Sequence, residues 1–436
     1  METLETYLDR KYEELELLNG ALKKPLTVRR PESVAEVIER KFHLAAALKA
    51  EHALNGWAST ETAWAQPDRR RCGPFEFSYD YQRADLDVIG PSFYRLEDAD
   101  VDACIYTSSG MAAISALLLA SARVVGEAEL LLLPGSYGET VELIDLHARH
   151  LRPLVLDKPL GEAVLPARRA RMLLLDSCAA AEDFAATLRC AKPGLDLVIF
   201  DTTCFSSGSG RIRRVIDWTR RHRIPIVLVR SHTKLDSLGL EYGRLGSAAF
   251  VRGGPADTTG RVSVRNLIGE TRVAVRLFGG AALPAHFPPY AGSRAYRSLT
   301  DRRIAAMLQN SRRTARCFAG ELACGSAVLH FAHGLYVTLA PARALDEAQA
   351  RRLAAELSHD LTKVGLPLRH AGSFGFDFGA TEWSYDRRHE RHVVRIAVPD
   401  LPTALWDEVA LAAANWWRAA QAPKRACADK NVILFQ

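Results

Sequence analysis

An α/β fold with a large, mostly parallel sheet is predicted for this chain, and three observations predict it. Between about residues 100 and 255, short apolar runs (104–107, 130–133, 172–175, 197–200, 226–229 and 248–251) alternate with stretches of helical period. Such alternation builds βα units, with helices covering both faces of one sheet. The runs are apolar at nearly every position, as in strands buried on both faces. Several stop at polar residues, which puts Ser108-Ser109-Gly110, Tyr137, Asp201 and Ser231-His232-Thr233-Lys234 at the carboxyl edge of the sheet. Open α/β sheets bind their ligands there.

The elements follow in chain order. Residues 1–80 read as a helical N-terminal arm: Leu4, Leu8, Tyr12 and Leu15 recur at helical spacing. A second helix starts at Ser33, with Glu36 completing a capping box and Val34, Ile38, Phe42 and Ala45 forming a stripe. Asn55 to Pro74 reads as a long loop. Residues 81–290 form the large domain, ending in a Gly/Pro-rich connection that starts at Gly253-Gly254-Pro255 and includes Gly279-Gly280 and Pro288-Pro289. Residues 291–436 read as a smaller α+β domain. Its strands are expected at 329–339 and 393–398. A helix capped by Asp346 stops at Gly365, and a last amphipathic helix carries Leu405, Val409, Ala412 and Trp416.

A chain of 436 residues is too long for one ordinary core. Its 57 basic and 51 acidic residues leave a formal net charge of only +6, and no basic run is interleaved with aromatics, so nucleic-acid binding is not expected. The eight cysteines show no CxxC pair and no metal-like spacing, as in a reducing compartment. No run reaches ~18 apolar residues, and the N-terminus has no signal-peptide core. A cytoplasmic protein with no membrane partner is expected.

The chemistry centres on Lys234. It follows a buried strand, with hydroxyls at Ser231 and Thr233. Hydroxyls can bind a phosphate while an amine forms a Schiff base with an aldehyde, and pyridoxal 5′-phosphate (PLP) carries both groups. Ser-x-Thr-Lys alone is a weak signal. Four further elements strengthen it. Ser109-Gly110-Met111 opens an apolar helix after a strand, which makes an anion cradle. Tyr137, in Tyr137-Gly138-Glu139-Thr140, can stack on a flat heteroaromatic ring. Asp201 can hold a pyridine nitrogen protonated. Arg395 interrupts an apolar strand and needs a partner, which a substrate carboxylate would supply.

Taken in chain order, as phosphate turn, Tyr137, Asp201, Lys234 and Arg395, the elements resemble the Cys/Met-metabolism family of fold-type I PLP enzymes, which includes cystathionine lyases and synthases and methionine γ-lyase. The resemblance spans roughly residues 79–400. It implies that Ser109, Gly110 and Met111 bind the cofactor phosphate with Ser231 and Thr233, that Tyr137 stacks on the ring, and that Asp201 holds its nitrogen. It further implies that Lys234 carries the Schiff base and acts as general base, and that Arg395 binds the substrate carboxylate. Tyr81-Gln82-Arg83 stands where the family reaches across a dimer onto the partner's phosphate, so Tyr81 and Arg83 imply a homodimer or homotetramer.

The expected reaction is β/γ-elimination or γ-replacement on a small-molecule α-amino acid. The pattern departs from the family at Leu86-Asp87-Val88, at Thr202-Thr203 after Asp201, and at Glu139 after the stacking tyrosine. These departures point to a specialised biosynthetic enzyme forming a C–C, C–N or C–S bond, with S-adenosylmethionine as a candidate donor. Two other readings stay open: a non-PLP nucleotide-binding transferase, and a catalytically silent PLP-fold binding protein.

Overall fold

The computed structural model describes residues 2–421 apart from 55–59, 61, 63, 65–69, 84–85, 98–99, 163–168, 253–261, 324–326, 330–333 and 388. The Gly253-Gly254-Pro255 turn, most of the expected loop after Asn55, Cys324 and Cys427 lie outside the described residues.

Two helices, α1 (Leu4–Asn19) and α2 (Val34–Leu54), open the chain. A three-stranded antiparallel ribbon follows: β1 (Arg70–Cys72), β2 (Phe75–Tyr79) and β3 (Leu86–Ile89). Next come β4 (Val101–Thr107), α3 (Gly110–Val124), β5 (Ala128–Leu132), α4 (Gly138–His147), β6 (Leu151–Val155), β7 (Ala170–Asp176), α5 (Ala181–Arg189), β8 (Leu197–Asp201), α6 (Gly210–His222), β9 (Ile226–Ser231), β10 (Gly246–Val251) and α7 (Val264–Leu277). The long helix α8 (Arg294–Glu321) leads to β11 (Ala327–Leu329), β12 (Tyr336–Leu339), α9 (Glu347–Lys363), β13 (Leu368–His370), β14 (Gly379–Asp386), β15 (Arg391–Ala397) and α10 (Thr403–Gln421).

The seven-stranded sheet has the order β4-β10-β9-β8-β7-β5-β6. Its strands are parallel except β10, which runs against both neighbours. Successive residues of a strand face opposite sides, and here both sides are apolar. Leu130, Leu132, Met172, Leu174, Ile199 and Val229 pack beneath α3, α4 and α7. Leu131, Leu173, Leu175, Val198, Phe200 and Leu228 pack beneath α5 and α6. This explains the unbroken apolar runs. The edge strand β6 escaped the sequence reading because Arg152 and Pro153 interrupt it, as an edge tolerates.

The five-stranded sheet, ordered β11-β12-β15-β14-β13, carries α9 and α10. Asp346 caps α9 through a full capping box with Gln349. Helices α1 and α2 do not stand away as an arm. Tyr7, Leu8 and Val37 join the core of the five-stranded sheet. Leu15, Leu18, Leu44 and Leu48 join a separate core with the ribbon's Phe75 and Phe77.

Two expectations about these helices are corrected. The buried face of α1 holds Tyr7, Arg10, Lys11 and Glu14 with Leu8, Leu15 and Leu18, while Leu4 is exposed. On α2, Phe42 is exposed and Lys41 is buried. The expected interdomain connection also contains a helix, α7, packed on the face of α3.

Candidate active site

The carboxyl ends of β7, β8 and β9 and the N-terminus of α3 converge. Ser109 caps α3: its Oγ accepts from the Ala112 amide at 3.0 Å. The hydroxyl proton stays available to a ligand. Gly110 lies against the end of β9, where a Cβ would come within 3.1 Å of the Ser231 amide. Gly246 backs the same turn, and a Cβ there would stand 2.3 Å from the Ser109 carbonyl carbon. Ser231 Oγ and Thr233 Oγ1 are 3.0 Å apart. Met111, in the first turn of α3, packs on the core, and its sulfur accepts from Thr140 Oγ1 at 3.6 Å. Ser109, Gly110, Ser231 and Thr233 are thus neighbours, gathered at a helix N-terminus of the kind that binds phosphate.

Lys234 follows immediately, half-buried. Its Nζ donates to Ser373 Oγ at 2.5 Å and lies 3.8 Å from a Glu241 carboxylate oxygen. The turn beneath it is anchored by a buried polar group. Asp236 takes Arg230 in a bidentate pair at 2.7 and 2.8 Å, and also binds His232 Nδ1 at 2.8 Å. Arg230 further donates to the carbonyls of Thr202 and Phe205, tying the lysine's turn to the segment after β8. Burial would raise the Asp236 carboxyl, but the Arg230 charge outweighs it and holds the group at about 2.

Asp201 ends β8 in register with Asp176 at the end of β7. Both are buried. Asp201 Oδ1 accepts from the Thr203 amide at 2.8 Å, and Thr203 Oγ1 in turn accepts from the Ser231 amide at 3.1 Å, which links the acid to the hydroxyl turn. Asp176 accepts from the amides of Tyr137 (2.8 Å) and Cys178 (2.6 Å). Burial raises the Asp201 carboxyl. Burial and the charge of Asp201 push Asp176 up to about 7. The pair therefore carries more negative charge than its surroundings offset, and a protonated ring nitrogen would offset it.

Tyr137 starts α4, half-buried, and burial with the Glu139 carboxylate pushes its phenol up, so it stays protonated. Arg395 comes from β15. Its Nη2 donates to Glu382 at 2.9 Å, its guanidinium lies 4.8 Å from the Tyr336 ring centroid, and its buried Nε has no hydrogen-bond partner. Burial opposes the Arg395 charge, and Tyr336 and Glu382 more than compensate. Arg395 also feels Tyr137 and Cys178, so the five-stranded sheet meets the large sheet here. Phe374, next to Ser373, packs edge-on against Tyr336 at 5.5 Å. Cys178 and Cys204 lie 3.6 Å apart, and that contact together with burial keeps the Cys178 thiol protonated.

Tyr81 and Arg83 lie to one side. The Tyr81 ring contacts Trp64 at 5.2 Å. The exposed Arg83 guanidinium reaches Gly279, whose neighbour Gly280 accepts from the Ser108 amide at 2.7 Å. A cavity of about 670 Å³ is lined by residues that include His52, Cys72, Gln82 and His286. Burial pushes its Cys72 thiol up to about 12.

The sequence reading missed Ser373, Asp176, Glu241, Glu382 and Arg230. Arg230 carried a weaker signal than Arg395, since it ends an apolar run rather than interrupting one. Ser373 carried a fainter one, a serine between Gly372 and Gly375. Its backbone is left-handed, at φ +123°.

With this geometry in view, known structures supply the comparison. No family model and no curated protein matches the sequence. Solved structures do match. A cystathionine gamma synthase from Xanthomonas oryzae pv. oryzae, in complex with cystathionine, is 15% identical with a TM-score of 0.54, over 94% of this chain and 98% of that one. The same enzyme with aminoacrylate and cysteine gives 16% and 0.52, over 73% and 82%. A putative O-acetylhomoserine (thiol)-lyase from Campylobacter jejuni carrying a pyridoxyl-lysine monophosphate gives 14% and 0.52, over 73% and 83%. The chain has the fold of these enzymes. That fold-type I architecture puts β10 antiparallel within an otherwise parallel sheet and the candidate site along its carboxyl edge.

Proposed function

We propose that the protein is a PLP-dependent enzyme acting on an α-amino acid with a leaving group at Cβ or Cγ. The observation that carries this reading is the gathering of a half-buried lysine amine, a hydroxyl-and-glycine turn at a helix N-terminus and a buried strand-end acid along one sheet edge. The donor set fits the cofactor part by part. Ser109, Ser231, Thr233 and the first amides of α3 would hold its phosphate, with Gly110 allowing close approach and Met111 backing the turn. Asp201 would face its nitrogen, and Tyr137 would lie on its ring. Bound there, PLP supplies an aldehyde for amines and a ring that accepts the electron pair left at Cα.

The chain's own residues do the rest. Lys234 Nζ takes the α-proton and can return it to another carbon, acting as general base and then acid. Ser373 Oγ fixes where that amine points. Arg395, whose buried Nε has no hydrogen-bond partner, would take the substrate carboxylate, while Glu382 keeps the guanidinium plane in place. Tyr137, kept protonated, can donate a proton to a departing group. The Cys178 thiol, kept protonated, adds no charge to the site.

The reaction we favour is γ-replacement in a biosynthetic setting, with a sulfonium amino acid such as S-adenosylmethionine as donor. Glu139 and Glu241 support it: both are exposed carboxylates, beside the stacking tyrosine and the lysine, where the sulfonium cation of a bound donor would be drawn before it departs as a neutral thioether. Tyr81 and Arg83 are assigned to the phosphate of a partner protomer, so the active unit is at least a homodimer.

The first test is deuterium exchange at Cα. Incubated in heavy water with a panel of amino acids and S-adenosylmethionine, the yellow protein should exchange the α-proton of its substrate, and Lys234→Ala should not. A yellow protein that exchanges none of them would be a silent binder. A colourless one that PLP does not turn yellow would return the reading to the nucleotide-binding alternative.

A further inference from the structure

Among the described residues, a large cluster of buried charges lies outside the proposed cofactor site. Asp377 takes three cations from three helices. Lys11 of α1 and Arg303 of α8 each lie 2.5 Å from its Oδ1, and Lys41 of α2 lies 2.8 Å from its Oδ2. Glu14 bonds Lys11, Lys41 and Arg303, and Asp400 bonds Arg10, Lys11 and Arg303. None of these side chains is more than 5% exposed. Burying so many ions costs more than packing apolar groups of the same shape. A cluster of this kind contributes little net stability, so its use must be sought in geometry.

Its geometry leads to Lys234 by two routes. Arg303 donates to the Gly375 carbonyl at 3.0 Å. Gly375, at φ +94°, is pressed on the Lys234 backbone so closely that a Cβ would stand 2.9 Å from the Lys234 carbonyl oxygen. This is the loop that carries Ser373. On the other side, Lys41 donates to the Leu238 carbonyl, four residues after Lys234. The adjoining Gly239 packs on Asp377 and Arg303, where a Cβ would meet both side chains within 2.8 Å. Both segments hold non-glycine residues in left-handed backbone: Ser373 at φ +123°, Leu238 at +52° and Glu241 at +45°. Such conformations are strained and persist where the surroundings hold them.

We infer that α1 and α2 are a positioning element for the reactive lysine: Lys11 and Lys41, acting through Asp377, clamp the Ser373 loop onto Lys234 and fix its amine. This rests on the reading of Lys234 as the PLP lysine, and it adds residues that touch neither cofactor nor substrate. Lys41 and Asp377 are positioning residues. They act through Ser373.

The test needs no turnover. In the full-length chain freed of cofactor, acetylation of Lys234 by acetic anhydride is timed by peptide mass spectrometry against exposed lysines of the same molecule. Ser373→Ala should speed it about 10-fold, the loss of one charge-assisted hydrogen bond. Lys41→Met should speed it comparably, and the double variant should be no faster than either single one. The charge-balanced pair Glu14→Gln/Lys41→Met serves if Lys41→Met alone does not fold. Reconstituted with PLP, the same variants should show an altered visible band.

Melting temperature is recorded in parallel. A variant that melts lower but labels Lys234 at the wild-type rate, or a double variant whose effects multiply, would overturn the inference and leave the cluster purely structural. Failure of the wild-type protein to bind PLP would count against the proposed function alone, because the labelling comparison contains no cofactor.

Discussion

At the residue scale, the paired carboxyls of Asp176 and Asp201 decide how the site responds to pH. A folded-state value of about 7 for Asp176 lies above the ordinary carboxyl value near 4. The folded protein then holds a proton that the unfolded chain has released. Stability therefore falls as pH rises through that window, by about 1.4 kcal/mol per pH unit for one such group. Cofactor-free protein should melt at a lower temperature at pH 7 than at pH 5, and Asp176→Asn should flatten that slope. Loading with PLP should flatten it too, since a ring cation beside Asp201 removes the repulsion. Arg395→Ala should raise the substrate KM about 100-fold or more, the cost of losing a buried carboxylate partner. Steady-state kinetics on any substrate found by exchange would show it.

At the element scale, the turn between β4 and α3 is the tightest fit in the site. A methyl group at Gly246 would run into the backbone at Ser109, so Gly246→Ala must displace the turn. We expect a loss of about 1–3 kcal/mol of stability and a weaker grip on PLP, read by thermal unfolding and by titration of the visible band.

The same elements show what the sequence made legible. Strand ends were readable because several of the unbroken apolar runs stop at polar or turn residues, and that placed Ser109, Tyr137, Asp201 and Lys234 on one edge. The faces of α1 and α2 were misread because a buried Lys11, Glu14 or Lys41 looks like a solvated residue until its partners arrive from α8, the segment between β15 and α10, and the Phe374–Phe378 loop. Those partners are hundreds of residues away, and local periodicity carries no trace of them. Ser373 was missed for the same reason, since only the folded chain brings it to Lys234.

At the scale of the whole molecule, the two sheets meet at the site. Lys234, Asp201 and Tyr137 come from the seven-stranded sheet, while Ser373 and Arg395 come from the five-stranded one. A substrate held by both would couple their relative position to binding. The assignment of Tyr81 and Arg83 to a partner protomer has its own test. Lys234→Ala and Arg83→Ala homodimers should each be impaired. Mixed and re-associated, they should regain activity, because one site in each heterodimer has both residues. No recovery on mixing would place Arg83 at the site of its own protomer.

The central claim is a covalent link at one amine, and borohydride reduction tests it most directly. After incubation with PLP and reduction, peptide mass spectrometry should find a phosphopyridoxyl group on Lys234 at one equivalent per chain, with the visible band lost. Reduction that leaves Lys234 unmodified, or that marks other lysines equally, would contradict the account.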